Sequence, residues 1–258
     1  ERAEAIVALE DIIDVSDGIM VARGDLAVEV GNAAVPGMQK RMLKLARERH
    51  KFTITATQMM ESMIQNPVPT RAEVSDVANA VLDGTDAVML SAETAAGKYP
   101  AKVVEAMDRV CREAEKQSEV RRSDHRLHSV FGRIDEAIAM ATMYTANHLG
   151  VAAIAALTES GATPKWMSRI SSGIPIYALT PHVATRRKVT LFRGVYPISF
   201  DLRGTDTVRA NREVVEELLR RGAIRNDDLV IITKGDFDGR EGATNVMKIV
   251  RVGDQQPD

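Results

Sequence analysis

Apolar positions over the first 117 residues follow two alternating periods. Short runs rich in β-branched residues predict strands near Gly18 to Val21, Phe52 to Ala56 and Ala87 to Leu90. Between and after them, apolar residues returning every three or four positions predict helices over about Gly37 to Glu48, Arg71 to Leu82 and Ala101 to Lys116. Asp83-Gly84 supplies a helix-to-strand turn, and Tyr99-Pro100 puts proline at a helix start, where its missing donor matters little. This is a repeated β-α unit. Each strand runs out into polar side chains: Arg23-Gly24-Asp25, then Thr57-Gln58, then Ser91-Ala92-Glu93. In an α/β barrel the carboxyl-terminal strand ends form the active face, so chemistry is expected there.

Residues 118–133 are polar, carry Arg121, Arg122, Asp124, His125, Arg126 and His128, and lack a helical apolar stripe. They read as a solvated linker, because acidic residues dilute the charge and aromatic residues are scarce. A second domain, 134–258, opens with an amphipathic helix marked by Ile134, Ala137, Ile138, Ala141, Tyr144 and Thr145. Strands follow near Val151 to Leu157, Pro175 to Leu179, Val195 to Ser199 and Leu229 to Thr233, with helices near Lys165 to Ile170, Ala184 to Leu191 and Thr207 to Arg221. The β-branched run Val246 to Val252 is expected at the sheet edge, antiparallel to its neighbour. A mostly parallel open sheet with helices on both faces is predicted for this part.

Composition narrows the function classes. A 45% hydrophobic content suffices for a packed core, and a net charge of −2 gives no broad field for nucleic acid or an anionic membrane. The single Cys111 cannot form an internal disulfide, which fits a reducing cytoplasm. The longest apolar run, Val151 to Leu157, is far short of the roughly 20 residues that span a bilayer, and no secretory segment opens the chain. No Walker lysine loop and no zinc-like histidine and cysteine spacing occur.

Four motifs stand in order: Met20-Val-Ala-Arg-Gly-Asp-Leu26, Ala56-Thr-Gln-Met-Met-Glu-Ser-Met63, Asn66-Pro-Val-Pro-Thr-Arg-Ala-Glu73 and Asp83-Gly-Thr-Asp-Ala-Val-Met-Leu-Ser-Ala-Glu-Thr94. Together they resemble pyruvate kinase of the bacterial type, and the likeness continues at Thr158-Glu-Ser-Gly161 and Gly242-Ala-Thr-Asn245. The resemblance implies the last part of a (β/α)8 TIM barrel over 1–117, followed by an α/β regulatory domain over 134–258. It implies a carboxyl-terminal half that lacks the early barrel strands, the lid domain and the catalytic lysine. The implied activity is phosphoryl transfer between phosphoenolpyruvate and ADP, giving pyruvate and ATP in glycolysis. The enzyme would be a cytoplasmic homotetramer that uses Mg2+ and K+, with the K+ ligands outside this chain. Two further readings stay open: a non-catalytic effector-binding and assembly fragment, and another metal-dependent barrel lyase acting on pyruvate or its enolate.

Arg23-Gly24-Asp25 lies where a strand is expected to give way to a loop, so Gly24 can offer backbone donors to an anion and Asp25 a hard oxygen to a metal. The same tripeptide also suits a turn with a capping aspartate. By resemblance Asp25 is a Mg2+ ligand and Gly24 binds substrate. Glu1 matches the second metal-ligating glutamate, or is a loose terminal residue. Thr57 is expected beside the reacting carbon, binding substrate and relaying a proton, with Ser91 organising that region. Thr70 and Glu73 form a capping box, which gives Glu73 a loop-holding role. After the Val151 to Leu157 strand, Thr158, Ser160, Gly161 and Thr163 open a helix expected to start at Pro164. They form either a phosphate cradle, which the resemblance implies holds a phosphorylated allosteric effector, or an ordinary capped helix start. Glu159 would repel a second phosphate and so favours a monophosphate. Gly235 to Asn245 resembles the family's flexible effector loop, which would make Arg240 a phosphate contact, and is equally open to being a plain hairpin turn.

Overall fold

Gly18 faces Phe52 across a pair of parallel strands, and a Cβ on Gly18 would lie 2.6 Å from the Phe52 ring. That close approach starts the register of β1 (Gly18–Ala22) on β2 (Phe52–Ala56), which runs in step to Ala22 opposite Ala56. A computed structural model of the chain describes residues 2–117, 130–170, 172–201, 207–235 and 242–254. The chain divides into two compact units, Glu1–Arg121 and Arg122–Asp258. Among the described residues no helix is long and apolar enough to cross a membrane.

In the first unit the sheet order is β1-β2-β3, all parallel, with β3 at Ala87–Val88. The third strand is shorter than expected. The Met89 amide still reaches the Thr55 carbonyl at 3.0 Å, but Met89 and Leu90 then leave the ladder toward Ser91. Helix α4 (Val35–Glu48) packs on β1 and β2, while α5 (Arg71–Leu82) packs on β3 and on α7 (Pro100–Ala114). Four short helices were not anticipated: α1 (Ala3–Val7), α2 (Leu9–Val15), α3 (Arg23–Val30) and α6 (Ala92–Ala95). The α3 helix stands where a loop was expected, because Leu26 is buried beside Ile13, Val21 and Leu43 and draws the segment into a helical turn. A second apolar cluster joins Met59, Met60 and Met63 to Val77, Ala80, Val103 and Met107. Methionine fills this irregular space well because its thioether chain is unbranched.

The second unit holds α8 (Ile134–Leu149), β4 (Ala153–Leu157), α9 (Ala162–Ser168), β5 (Ile176–Thr180) and α10 (Val183–Val189). It continues with β6 (Val195–Ser199), α11 (Thr207–Arg220), β7 (Leu229–Gly235) and β8 (Thr244–Arg251). Its five-stranded sheet has the order β6-β5-β4-β7-β8, parallel except for β8, which lies antiparallel on β7 at the edge as the sequence predicts. The strand β4 is central and buried on both faces, which explains its unbroken run Ala153-Ile154-Ala155-Ala156. The start of α9 differs from expectation: it begins at Ala162, with Gly161 at φ 81° before it, and Pro164 lies inside its first turn. Glu1, His125, His128, Arg240 and most of the expected linker lie outside the described residues.

Candidate active site

Because Ala22 and Ala56 are register partners, the residues that follow them leave the sheet side by side. The Gly24 amide donates to Thr57 Oγ1 at 2.8 Å, and Thr57 Oγ1 donates to the Ala56 carbonyl at 2.7 Å. Thr57 has φ 67° and Gln58 φ 54°, two successive left-handed residues of which one is β-branched. Each such residue costs on the order of 1–2 kcal/mol unless its surroundings enforce the geometry.

Arg23 enforces it. Its guanidinium donates through Nε to the Ala56 carbonyl (3.3 Å), through a second nitrogen to the Thr57 carbonyl (2.8 Å) and the Gln58 carbonyl (3.3 Å), and through the third to Asp76 Oδ1 (2.7 Å). The side chain is 10% exposed. A planar fork of five fixed donors suits this task, because three consecutive carbonyls on a reversed turn converge on one point.

Glu93 ties the next strand end to the same region. It is 2% exposed and accepts from the Met60 amide (3.2 Å) and the Ser91 amide (2.7 Å), so one carboxylate bridges the segments after β2 and β3. Glu73 closes the capping box with Thr70 as predicted and also reaches back to Ser62, accepting from its amide and its hydroxyl, each at 2.6 Å. Partial burial pushes the Glu73 carboxyl up, but the hydrogen bonds from Ser62 and Thr70 outweigh it and leave the pKa below the ordinary glutamate value.

Of the sequence-predicted residues, Gly24, Asp25, Thr57 and Ser91 therefore gather at one sheet end, with one local correction. Gly24 and Asp25 occupy the first turn of α3 rather than a loop, and the Gly24 amide is already bonded to Thr57. Asp25 is exposed and makes no hydrogen bond or ion pair among the described residues. Its carboxylate is free to act as one hard oxygen ligand, which suits Mg2+. No group of three or more histidine, cysteine, aspartate or glutamate side chains among the described residues forms a metal site, so Asp25 would supply only part of a coordination sphere. Sequence reasoning gave no role to Arg23 or Glu93. The signal available was a charged side chain placed directly at the end of an apolar strand.

In the second unit Thr158 Oγ1 accepts from the Gly161 amide at 3.0 Å, which closes the turn after β4. Thr163 is 2% exposed and its hydroxyl pairs with that of Thr244 at 2.6 Å, so its side chain serves the packing between α9 and β8. Glu159 pairs with His182, and its carbonyl accepts from Thr185 Oγ1 at 2.6 Å. Thr158 and Ser160 remain partly exposed at the loop surface. The loop from Gly235 to Asn245 is described only at its two ends.

A barrel-type parallel sheet with a polar, strained strand-end site, followed by an open α/β sheet, defines the class of this protein. Two family models match: "Pyruvate kinase, barrel domain" over residues 1–104 and "Pyruvate kinase, alpha/beta domain" over residues 136–250. The chain belongs to the pyruvate kinase family. It is 54% identical over 256 residues to a pyruvate kinase of Buchnera aphidicola subsp. Baizongia pistaciae, and 55% identical over 256 residues to pyruvate kinase II of Salmonella typhimurium; each alignment covers 98% of this chain and 53% of the relative. With a Haemophilus influenzae pyruvate kinase it shares 51% identity over 248 residues, 95% of this chain and 51% of the relative. The chain thus spans about half the length of the curated relatives it matches.

Proposed function

We propose that this chain carries part of the active face of a pyruvate kinase, which moves the phosphoryl group of phosphoenolpyruvate to ADP and protonates the resulting enolate to pyruvate. The observation that carries this reading is the Gly24 amide held on the Thr57 hydroxyl at 2.8 Å, one residue from the carboxylate of Asp25, which has no partner among the described residues. A substrate carboxylate arriving at this strand end competes with Thr57 for the Gly24 amide. Once displaced, the hydroxyl is released toward the three-carbon acid, where it can donate or relay a proton. Arg23 and Glu93 keep the turn in place without touching substrate, and Ser91 offers a second hydroxyl nearby. Asp25 would hold part of a Mg2+ coordination sphere, and the ion would supply charge neutralisation for the enolate and phosphoryl oxygens.

Residues 1–117 are assigned in this reading to the barrel, 118–133 to the connector and 134–258 to a regulatory domain. A phosphorylated effector, a monophosphate because Glu159 adds negative charge, is assigned to the loop at Thr158, Ser160 and Gly161, with Thr163 contributing backbone only. K+, a homotetramer and a cytoplasmic setting follow from the family. A second reading, a non-catalytic assembly and effector module, draws support from the sheet: β1 and β3 each keep one unpaired side among the described residues. Open edges of this kind call for further strands.

The test is ATP and pyruvate formation from phosphoenolpyruvate, ADP, Mg2+ and K+. It compares this chain alone with this chain fused behind the amino-terminal half of the Salmonella typhimurium relative. Turnover by the fusion, abolished or strongly reduced by Thr57→Val, is expected. A folded fusion that binds phosphoenolpyruvate without turnover favours the module reading and sinks the catalytic one.

A further inference from the structure

We propose that the second unit holds an anion site in the cleft between α10, the edge strand β6 and the end of α11, and that it takes a phosphate group. The cleft, about 420 Å³, is lined by Val183, Arg186, Arg187, Thr190, Pro197, Ser199 and Arg221. Three arginines thus line one open cleft whose lining, among the described residues, contains no acidic side chain.

The charges nearby leave that space positive. Among the described residues Glu217, on α11, pairs with Arg221 of this set, and its carboxylate is engaged twice, by Arg220 (2.8 Å) and by Arg221 Nε (2.7 Å). One negative charge therefore answers two positive ones. Arg186 makes no ion pair among the described residues, and its Nε is buried without a hydrogen-bond partner. A buried N–H left unpaired costs about 1–3 kcal/mol, so the Arg186 side chain gains by turning this donor toward an acceptor that enters the cleft. Arg187 is exposed beside it, and Ser199 adds a hydroxyl at the end of β6. Guanidinium forks bind phosphate oxygens in pairs, a geometry that a halide cannot exploit. Pro197 in the middle of the edge strand lacks an N–H, which weakens this edge as a template for another strand and leaves the cleft to a small ligand.

None of these residues belongs to the loop at Thr158 to Thr163, but Thr185 of α10 bonds the Glu159 carbonyl, so the arginine side chains, Ser199 and the arginine variants are what separate the two sites. In the 15N-labelled chain at low ionic strength, inorganic phosphate and glycerol phosphate are titrated in parallel, with chloride as the control. Saturable shifts are expected at the Arg186 Nε–H and at the amides of Val183 to Thr190 and Ser199. Arg186→Gln with Arg187→Gln should weaken binding by about tenfold or more, with an unchanged circular dichroism spectrum. Should that pair fail to fold, Arg221→Gln is expected to weaken binding in the same direction. A tighter response to glycerol phosphate identifies an organic phosphomonoester as the ligand class, whereas equal responses identify the free ion. Shifts confined to Thr158 to Thr163, shifts reproduced by chloride, or binding that survives loss of the arginines would each overturn the site.

Discussion

The backbone amide of Gly24 donates to the hydroxyl of Thr57 across 2.8 Å, joining the second residue beyond β1 to the first beyond β2. Since Thr57 Oγ1 gives its own proton to the Ala56 carbonyl, both partners of the hydroxyl are backbone groups. Thr57→Ser keeps both bonds and removes a β-branch from a left-handed residue, so its stability should stay within about 1 kcal/mol of the original. Thr57→Val removes both bonds and should cost about 1–3 kcal/mol. Amide hydrogen exchange at Gly24 separates the two: protection is retained in the serine variant and lost in the valine variant.

Arg23 is the clamp whose loss should be felt most widely. Arg23→Met keeps the apolar stem but strips three carbonyls and Asp76 of their donor, and the expected destabilisation is roughly 2–4 kcal/mol. Hydrogen exchange over residues 56–63 should accelerate more than exchange in α4. Arg23→Lys restores the charge but not the fork, and should recover only part of the loss.

Acid sensitivity of the loop before α5 follows from Glu73. Its folded pKa lies below the ordinary value of 4.5 because hydrogen bonds from Ser62 and Thr70 outweigh the cost of burial. Its contribution to stability is therefore complete above that ordinary value and fades as the pH falls through the depressed folded one. Glu73→Gln removes this pH-dependent part. Thermal midpoints followed from about pH 7 to about pH 3 should fall less steeply in the variant than in the parent sequence.

In the second unit Gly161 sits at φ 81°, and a Cβ there would lie 2.7 Å from Val189 Cγ1. Gly161→Ala combines a left-handed alanine with pressure on α10, and should destabilise by about 1–3 kcal/mol. Trp166, the single tryptophan, lies in α9 a few residues away and reports the unfolding midpoint by fluorescence. A midpoint equal to that of the parent sequence would contradict this account of the turn.

The elements legible in the sequence share a physical origin. β2, β6 and α5 have the predicted bounds, and β8 has the predicted antiparallel edge position. In each case the signal is local: β-branched runs ended by turn residues, or a capping box at Thr70 followed by helical spacing. The α3 helix was not legible, because Arg23-Gly24-Asp25 reads locally as a turn and only the burial of Leu26 against Ile13 and Leu43 makes it helical. For the same reason Thr163 reads as a cradle hydroxyl until β8, 81 residues later, brings Thr244 to it.

Residue order alone determined that strand ends rich in hydroxyl, amide and carboxylate groups alternate with helices, and that Gly24, Asp25, Thr57 and Ser91 are the groups offered there. Tertiary structure alone decided how they are held. The left-handed pair Thr57-Gln58, the Arg23 fork on three carbonyls and the Glu93 bridge from Met60 to Ser91 depend on contacts between residues about 33 to 53 positions apart. Spacing along a chain carries no record of such contacts, because their energy exists only once the strands have paired and water has left the space between them.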